Sequence, residues 1–368
     1  MLHPDAPVVL LQHHGLDNLW GKTGLALLRY RRGPIAAVID PDHAGAALER
    51  ITGIRRAVPV VASMADALSL LPAGSREPGS FGQDPGAVAV VGLAPSGGRL
   101  PPDLHADLVV ALEAGLSVAS GLHSRLGDDP DLACRVRPGR WIWDLRREPE
   151  DLVVGSARAA ALPPRRLLAV GSDMSVGKMS ACLELQAAAL RAGLDARFVA
   201  TGQAGILIAG GGLALDAVRV DYAAGAVEQA VLQAAAGADA DGLVLVEGQG
   251  SFCHPGSTAT LPLLRGSQPT DLLLVHRAGQ TTIRNQAHIP LPPLPQLIAT
   301  LEAMAALARP AVGAAASARV VAIALNTAHL EPVQASAALE ETAALTGLPC
   351  HDPVREGGEA LLSNLRQR

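Results

Sequence analysis

The residues of this chain best placed to do chemistry lie in GSDMSVGKMS, Gly171 to Ser180, between the apolar run LLAV and the helical-looking ACLELQAAAL. A strand, a Gly-rich turn, a lysine and then a helix is an arrangement that holds phosphate. The backbone N–H groups of the turn converge with the helix N-terminus into an anion nest. Gly171 permits the turn, Gly177 lets backbone approach the ligand, and Lys178 adds a point charge. Ser172, Asp173, Ser175 and Val176 complete the loop, and Met179 and Ser180 follow the lysine. A nucleotide hydrolase needs a Ser or Thr hydroxyl directly after the lysine, to ligate Mg²⁺. Met179 stands there instead, and Ser180 comes one residue late. Phosphoryl transfer needs the metal, but merely holding a pyrophosphate does not.

Four further stretches carry candidate chemistry. GLVLVEGQGSFCHPG is an apolar strand ending in Glu247, where an acid faces a phosphate loop and orients a metal or a base. Its Gly248 and Gly250 let the chain turn close to a ligand, with Gln249 and Ser251 beside them as candidate substrate contacts. Cys253 and His254 are adjacent, so they point differently and make a poor nucleophile–base dyad, although His254 can act alone as a base. FVATGQAGILI places Thr201 and Gln203 where a parallel strand ends, at the ligand edge of a sheet. VDYAAGAVEQA puts Asp221 and Glu228 near a helix start, Asp221 as an N-cap or a substrate contact. HRAGQTTIRN carries His276, Arg277 and Arg284, and an arginine fork grips a carboxylate or phosphate bidentately. Earlier, HHGLDNLWGKTG and VIDPD are strand-end loops without dinucleotide-binding glycine spacing.

The elements that position these residues follow from apolar patterning. VVLLQ, IAAVID, VPVV, VAVVG and LSVAS read as buried parallel strands alternating with helical stretches. LLAVG, ARFVATG, GLVLVEGQG, DLLLVHRAG, RVVAIALNT and LPCHDP repeat the alternation in longer units. The reading is α/β: two domains with mainly parallel sheets, a Rossmann-like one over 1–155 and a phosphate-loop one over 156–368. RWIWDLRREPEDL closes the first, SARAAALPPRR reads as a linker, and 73–86 is a polar Gly/Pro loop within the first domain. The 368 residues suffice for two full cores.

Composition removes several function classes. Lys+Arg 30 against Asp+Glu 35 gives a net charge of −5, with no basic footprint for nucleic acid. Aromatic residues make up only 2%, too few for base-stacking platforms. Charges and Gly/Pro interrupt every long apolar run, including 303–325, so no membrane span is expected. The N-terminal MLHPDAPVVLLQHHG lacks the basic start and apolar core of a secretory signal. Four scattered cysteines without a CxxC pair suit a reducing cytoplasm, and no metal site is expected.

Taken in order, GSDMSVGKMS, FVATGQAGILI, VDYAAGAVE, LVEGQGSFCHPG, IALNT and LPCHDPVR, preceded by GKTGLALLRY, AVIDPDHAG and WIWDLR, resemble the D-glutamate N-acetyltransferase-like family. That family, long catalogued as a domain of unknown function, joins a Rossmann-like N-terminal domain to a P-loop NTPase-like C-terminal domain. The loop itself is similar to the dethiobiotin synthetase form, GTDxxVGKT, which is one residue longer than the common pattern. Ala204 departs from the family, standing where Thr is expected in a TGQTG motif. The resemblance implies acetyl-CoA as donor and D-glutamate, or a similar small acidic amino acid, as acceptor; a homo-oligomer is expected. Acetyl transfer then needs a base for the substrate ammonium, with Glu247 first, then His254 and Asp173. It needs oxyanion donors, for which the Gly248–Ser251 turn is the candidate, and cations for the acceptor carboxylates, for which Arg277 and Arg284 are. The alternatives are an ATP- and Mg²⁺-dependent ligase or kinase of the dethiobiotin synthetase type, and a non-catalytic nucleotide sensor.

Overall fold

The computed structural model describes residues 2–76, 86–94, 100–309 and 317–367. The chain divides into two compact units, Met1–Arg147 with Gln203–Ala214, and Glu148–Gly202 with Leu215–Arg368. The loop 73–86 and the apolar stretch 303–325 lie partly outside the described residues, as does the Gly-rich sequence GLAPSGGRLPP over 92–102, which reads as a crossover.

The first unit is built on strands β1 (Val8–Leu11), β2 (Ile35–Ile39), β3 (Val60–Val61), β4 (Val88–Val91), β5 (Ser117–Ser120) and β6 (Ile142–Asp144). They form one parallel sheet in the order β3-β2-β1-β4-β5-β6. That order is the doubly wound one, in which crossover helices cover both faces. Residues of β1 and β4 are buried at every position, which is why these strands read as unbroken apolar runs rather than alternating ones; β5 is equally buried but has a serine at each end. The WIWD segment, read as a closing stretch, supplies the edge strand β6.

The second unit carries β7 (Arg165–Gly171), β8 (Ala196–Val199), β9 (Leu243–Val246), β10 (Asp271–Arg277), a hairpin of β11 (Thr282–Ile283) and β12 (Gln286–Pro290), β13 (Arg319–Asn326) and β14 (Cys350–His351). Six of them make a parallel sheet ordered β14-β13-β10-β7-β9-β8. β7 therefore sits centrally between β10 and β9, and everything at its carboxyl end is flanked by two further strand ends. Leu167, Ala169, Leu245, Leu273 and Ala324 on these strands pack with Ala181, Cys182 and Leu185 of the helix Lys178–Arg191. That core fixes the helix start against the sheet edge.

The segment that reads as a linker is fastened to the second unit. Its turn, with Ala157 at φ +60°, is held by buried Glu228, whose carboxylate accepts from the N–H groups of Ser156 and Arg158. Glu228 thus lies in the middle of the helix Val220–Ala235 rather than at its start. The cap position of that helix is Arg219, so Asp221 is not the N-cap; it sits in the first turn, exposed.

Candidate functional site

The site begins where β7 runs out. Gly171 to Gly177 form a loop into the helix Lys178–Arg191, with Ser175 at φ +55° and Gly177 at φ +117°. The Gly177 value is one that side-chain-bearing residues avoid, so glycine is required there. A Cβ on Gly171 would lie 2.8 Å from Lys178 Nζ, and one on Gly248 would lie 2.9 Å from Lys178 Cδ and 1.7 Å from the Ala169 carbonyl oxygen. Both glycines keep open the space around the lysine. Lys178 is buried and donates from Nζ to the Asp173 carbonyl at 2.9 Å. Burial pushes its ammonium down to about 8, against the attraction of Asp173 and Glu247. Met179 and Ser180 are half-buried in the first turn.

Glu247 follows β9 and is buried beside this lysine. One carboxylate oxygen accepts from the N–H groups of Thr201, at 2.9 Å, and Gly202, at 3.1 Å. Thr201 Oγ1 in return donates to the Glu247 carbonyl at 2.7 Å. Burial raises the carboxyl to about 7; the two N–H groups, Lys178 and Gln249 oppose that rise. A carboxyl balanced near neutrality beside a buried lysine is suited to taking and returning a proton.

Two hydroxyls tie the loop to its neighbours. Ser172 Oγ shares a 2.8 Å hydrogen bond with His276 Nδ1, and Ser251 Oγ donates to the Ser172 carbonyl at 2.9 Å. Burial lowers His276 to about 4, so its ring is neutral at pH 7. His254 accepts from the Gly256 N–H at Nδ1, which leaves Nε2. Burial raises the thiols of Cys182 and Cys253, which keeps both protonated and poor nucleophiles.

Asp173 occupies a different role from a free base. Its buried carboxylate accepts from Met174 N at 2.6 Å, Gln280 Nε2 at 2.6 Å and Arg284 N at 2.8 Å. Beyond it lies a cavity of about 600 Å³, lined by Arg277, Arg284, Gln280, Asn285 and His329 among others. Among the described residues no carboxylate pairs with either arginine, and both line this one cavity.

Ser172, Lys178, Thr201, Glu247 and Ser251 are thus brought together, and Arg277 and Arg284 share the adjoining cavity. Gln203 is not part of this group: it lies in the first unit, with its amide against Gly121. Asp221 stays exposed on its helix. His276 and Asn326, which donates to the Val176 carbonyl at 2.9 Å, are loop supports to which sequence reading assigned no role. Their positions at the ends of β10, which pairs with β7, and of β13, the next strand out, are the signal that identifies them.

In the first unit, His14 lies 2.6 Å from Asp42 and 3.1 Å from Asp103, and His14, Asp40 and Asp42 are close enough to share a cation. Asp42 and Asp103 raise the His14 pKa, which favours an imidazolium bridging two carboxylates. Asp40 is buried and caps a short turn, accepting from Asp42 N and Leu16 N. That use removes the free acid a ribose binder would present.

A doubly wound Rossmann-like unit and a second parallel-sheet unit with its phosphate loop on the central strand define a two-domain P-loop protein. The chain belongs to the DUF1611 family: residues 41–148 match its Rossmann-like domain and 153–362 its P-loop domain, both described as domains of unknown function. A protein named D-glutamate N-acetyltransferase from Tritonibacter scottomollicae is 38% identical over 75% of this chain and 80% of its own. One of the same name from a Pseudoalteromonas species is 34% identical over 75% and 80%. The crystal structure of a DUF1611 family protein from Anabaena variabilis is 50% identical, with a TM-score of 0.89, covering 99% of this chain and all of that one. No helix of the described residues is long and apolar enough to cross a membrane.

Proposed function

We propose that this protein is an N-acetyltransferase that moves the acetyl group of acetyl-CoA to the amine of D-glutamate or a similar small acidic amino acid. The observation that carries the reading is the juxtaposition of Lys178, in a phosphate loop with Met179 at the metal-ligand position, and Glu247, buried beside it and poised near neutrality. The names of the relatives supply the acetyl group and the acceptor. The glycine-lined space at Lys178 suits a pyrophosphate, because a Cβ on Gly171 or Gly248 would fill it. Bound there, the donor supplies an activated acyl group, and the chain's own residues do the rest.

Glu247 accepts a proton from the substrate ammonium, since only the free amine attacks a thioester. A C–N bond forms as the C–S bond breaks; the products are the N-acetyl amino acid and free CoA, and the proton held by Glu247 is available to the departing thiolate. The N–H of Ser251 is taken by Ser257 Oγ, which leaves those of Gly248, Gln249 and Gly250 for the carbonyl oxygen as its charge grows. Arg277 and Arg284 hold the acceptor's carboxylates. The test is product formation from acetyl-CoA with D-glutamate, L-glutamate and D-aspartate in turn, read by mass spectrometry. Turnover of ATP–Mg²⁺ with none of acetyl-CoA overturns the reading in favour of a ligase or kinase. Binding of either nucleotide with no turnover favours a sensor.

A further inference from the structure

Asp173 belongs to the phosphate loop and holds two residues, Gln280 and Arg284, that line the arginine cavity. Its carbonyl holds Lys178 Nζ at 2.9 Å, and its side chain holds Gln280 Nε2 and Arg284 N at 2.6 and 2.8 Å. Gln280 Nε2 also donates to the Thr282 carbonyl at 2.9 Å, so the clasp reaches the first residue of the β11–β12 hairpin. That hairpin turns through Asn285 at φ +63°, and Arg284, Asn285 and Ala287 of it line the cavity. The residue making these contacts is buried, so water does not compete for them.

An arriving phosphate competes with the Asp173 carbonyl for the Lys178 ammonium. The bound and free loops therefore differ in a contact made by the residue that sets the hairpin. We propose that Asp173 is a positioning residue that couples phosphate in the loop to carboxylate binding in the arginine cavity, so that the first ligand shapes the site of the second. The proposal rests on the preceding reading only in taking the loop as a pyrophosphate site and the cavity as a carboxylate site. Coupling requires that one ligand act differently on the two states of the other's site, and here the difference is whether Lys178 grips residue 173.

Pyrophosphate and glutarate are the probes, because they separate the clasp from the chemistry. In the unmodified protein, saturating pyrophosphate should tighten glutarate about 5-fold, at the lower end of usual couplings, as measured by calorimetric titration. Direct repulsion between two anions gives the opposite sign, so a positive coupling is diagnostic. Asp173→Asn removes the charge that holds Gln280 and Arg284 and sets an amide NH2 against at least one of the three N–H groups the carboxylate now accepts from, and it should abolish the coupling while each probe still binds alone. Gln280→Ala, at the half-buried cavity wall, removes a single clasp bond and should reduce the coupling, even if the first variant is unstable. Amide exchange at Arg284 should change on adding pyrophosphate to the unmodified protein and not to Asp173→Asn. Absence of coupling in the unmodified protein, failure of glutarate to bind, or coupling that survives both substitutions overturns the proposal. Acetyl transfer measured on the same samples keeps the two ideas apart. Coupling without transfer leaves the clasp standing and removes the acetyltransferase reading; transfer without coupling does the reverse.

Discussion

Lys178 and Glu247 are each held near neutral pH by burial, and that has consequences for single substitutions. Lys178→Ala should raise the Michaelis constant for acetyl-CoA by the equivalent of about 2–3 kcal/mol, the loss of a charge-assisted hydrogen bond. Circular dichroism should be unchanged, because among the described residues the ammonium bonds only to the loop carbonyl. An unaltered Michaelis constant would show that the loop serves another ligand. Glu247→Gln should lower kcat by 10²-fold or more while leaving donor affinity nearly intact, since general-base catalysis contributes roughly 10²–10⁴. The pH dependence follows in sign. The carboxyl raised to about 7 must be ionised to act, so kcat/KM rises as pH passes about 7. The lysine lowered to about 8 must be protonated to hold phosphate, so kcat/KM falls as pH passes about 8. A bound anion favours the ammonium, which moves the falling limb of kcat above that of kcat/KM. Glu247→Gln should erase the rising limb and keep the falling one, and a rising limb that persists assigns the base elsewhere.

At the scale of elements, the sheet strands were legible because parallel strands buried on both faces leave continuous apolar runs, as VVLL and LVLV do. The β11–β12 hairpin was not. Its strands are two and five residues long and its sequence TTIRNQAHIP alternates no apolar face. Periodicity has nothing to register there, although both the hairpin and the arginine cavity depend on it. The phosphate loop was legible as a local motif with strict spacing. The clasp on it was not, since Asp173 and Arg284 are 111 residues apart in the chain. Gln203 shows the same limit: its motif looked like a strand-end site, but the chain carries the helix Gln203–Ala209 into the first unit. The hairpin yields its own prediction. Arg277→Ala and Arg284→Ala should each raise the Michaelis constant of the amino-acid acceptor by roughly 10-fold, about 1.4 kcal/mol, and leave that of acetyl-CoA unchanged. A donor-side effect of equal size would instead make the cavity a subsite for the nucleotide end of the donor.

For the whole molecule, ligand binding and metal dependence can be read from the unfolding transition without assuming any turnover. A ligand that binds the folded state alone stabilises it by about 2.7 kcal/mol at a hundred times its dissociation constant. For a domain of roughly 150–250 residues that moves the melting temperature by about 5–10 °C. Acetyl-CoA and CoA should produce such a shift, and the shift should persist in excess EDTA, because a nest and a lysine suffice to hold a pyrophosphate. ATP used for phosphoryl transfer depends on a metal that bridges its phosphates, so on the rival reading the larger shift comes from ATP–Mg²⁺ and collapses on chelation. Met179→Thr sharpens the comparison by restoring the hydroxyl next to Lys178. On the acetyltransferase reading this variant keeps the acetyl-CoA shift and gains no metal dependence. A shift with acetyl-CoA that vanishes in EDTA, in protein freed of contaminating enzymes, would assign a metal to Ser180 or Glu247 and remove the argument from Met179.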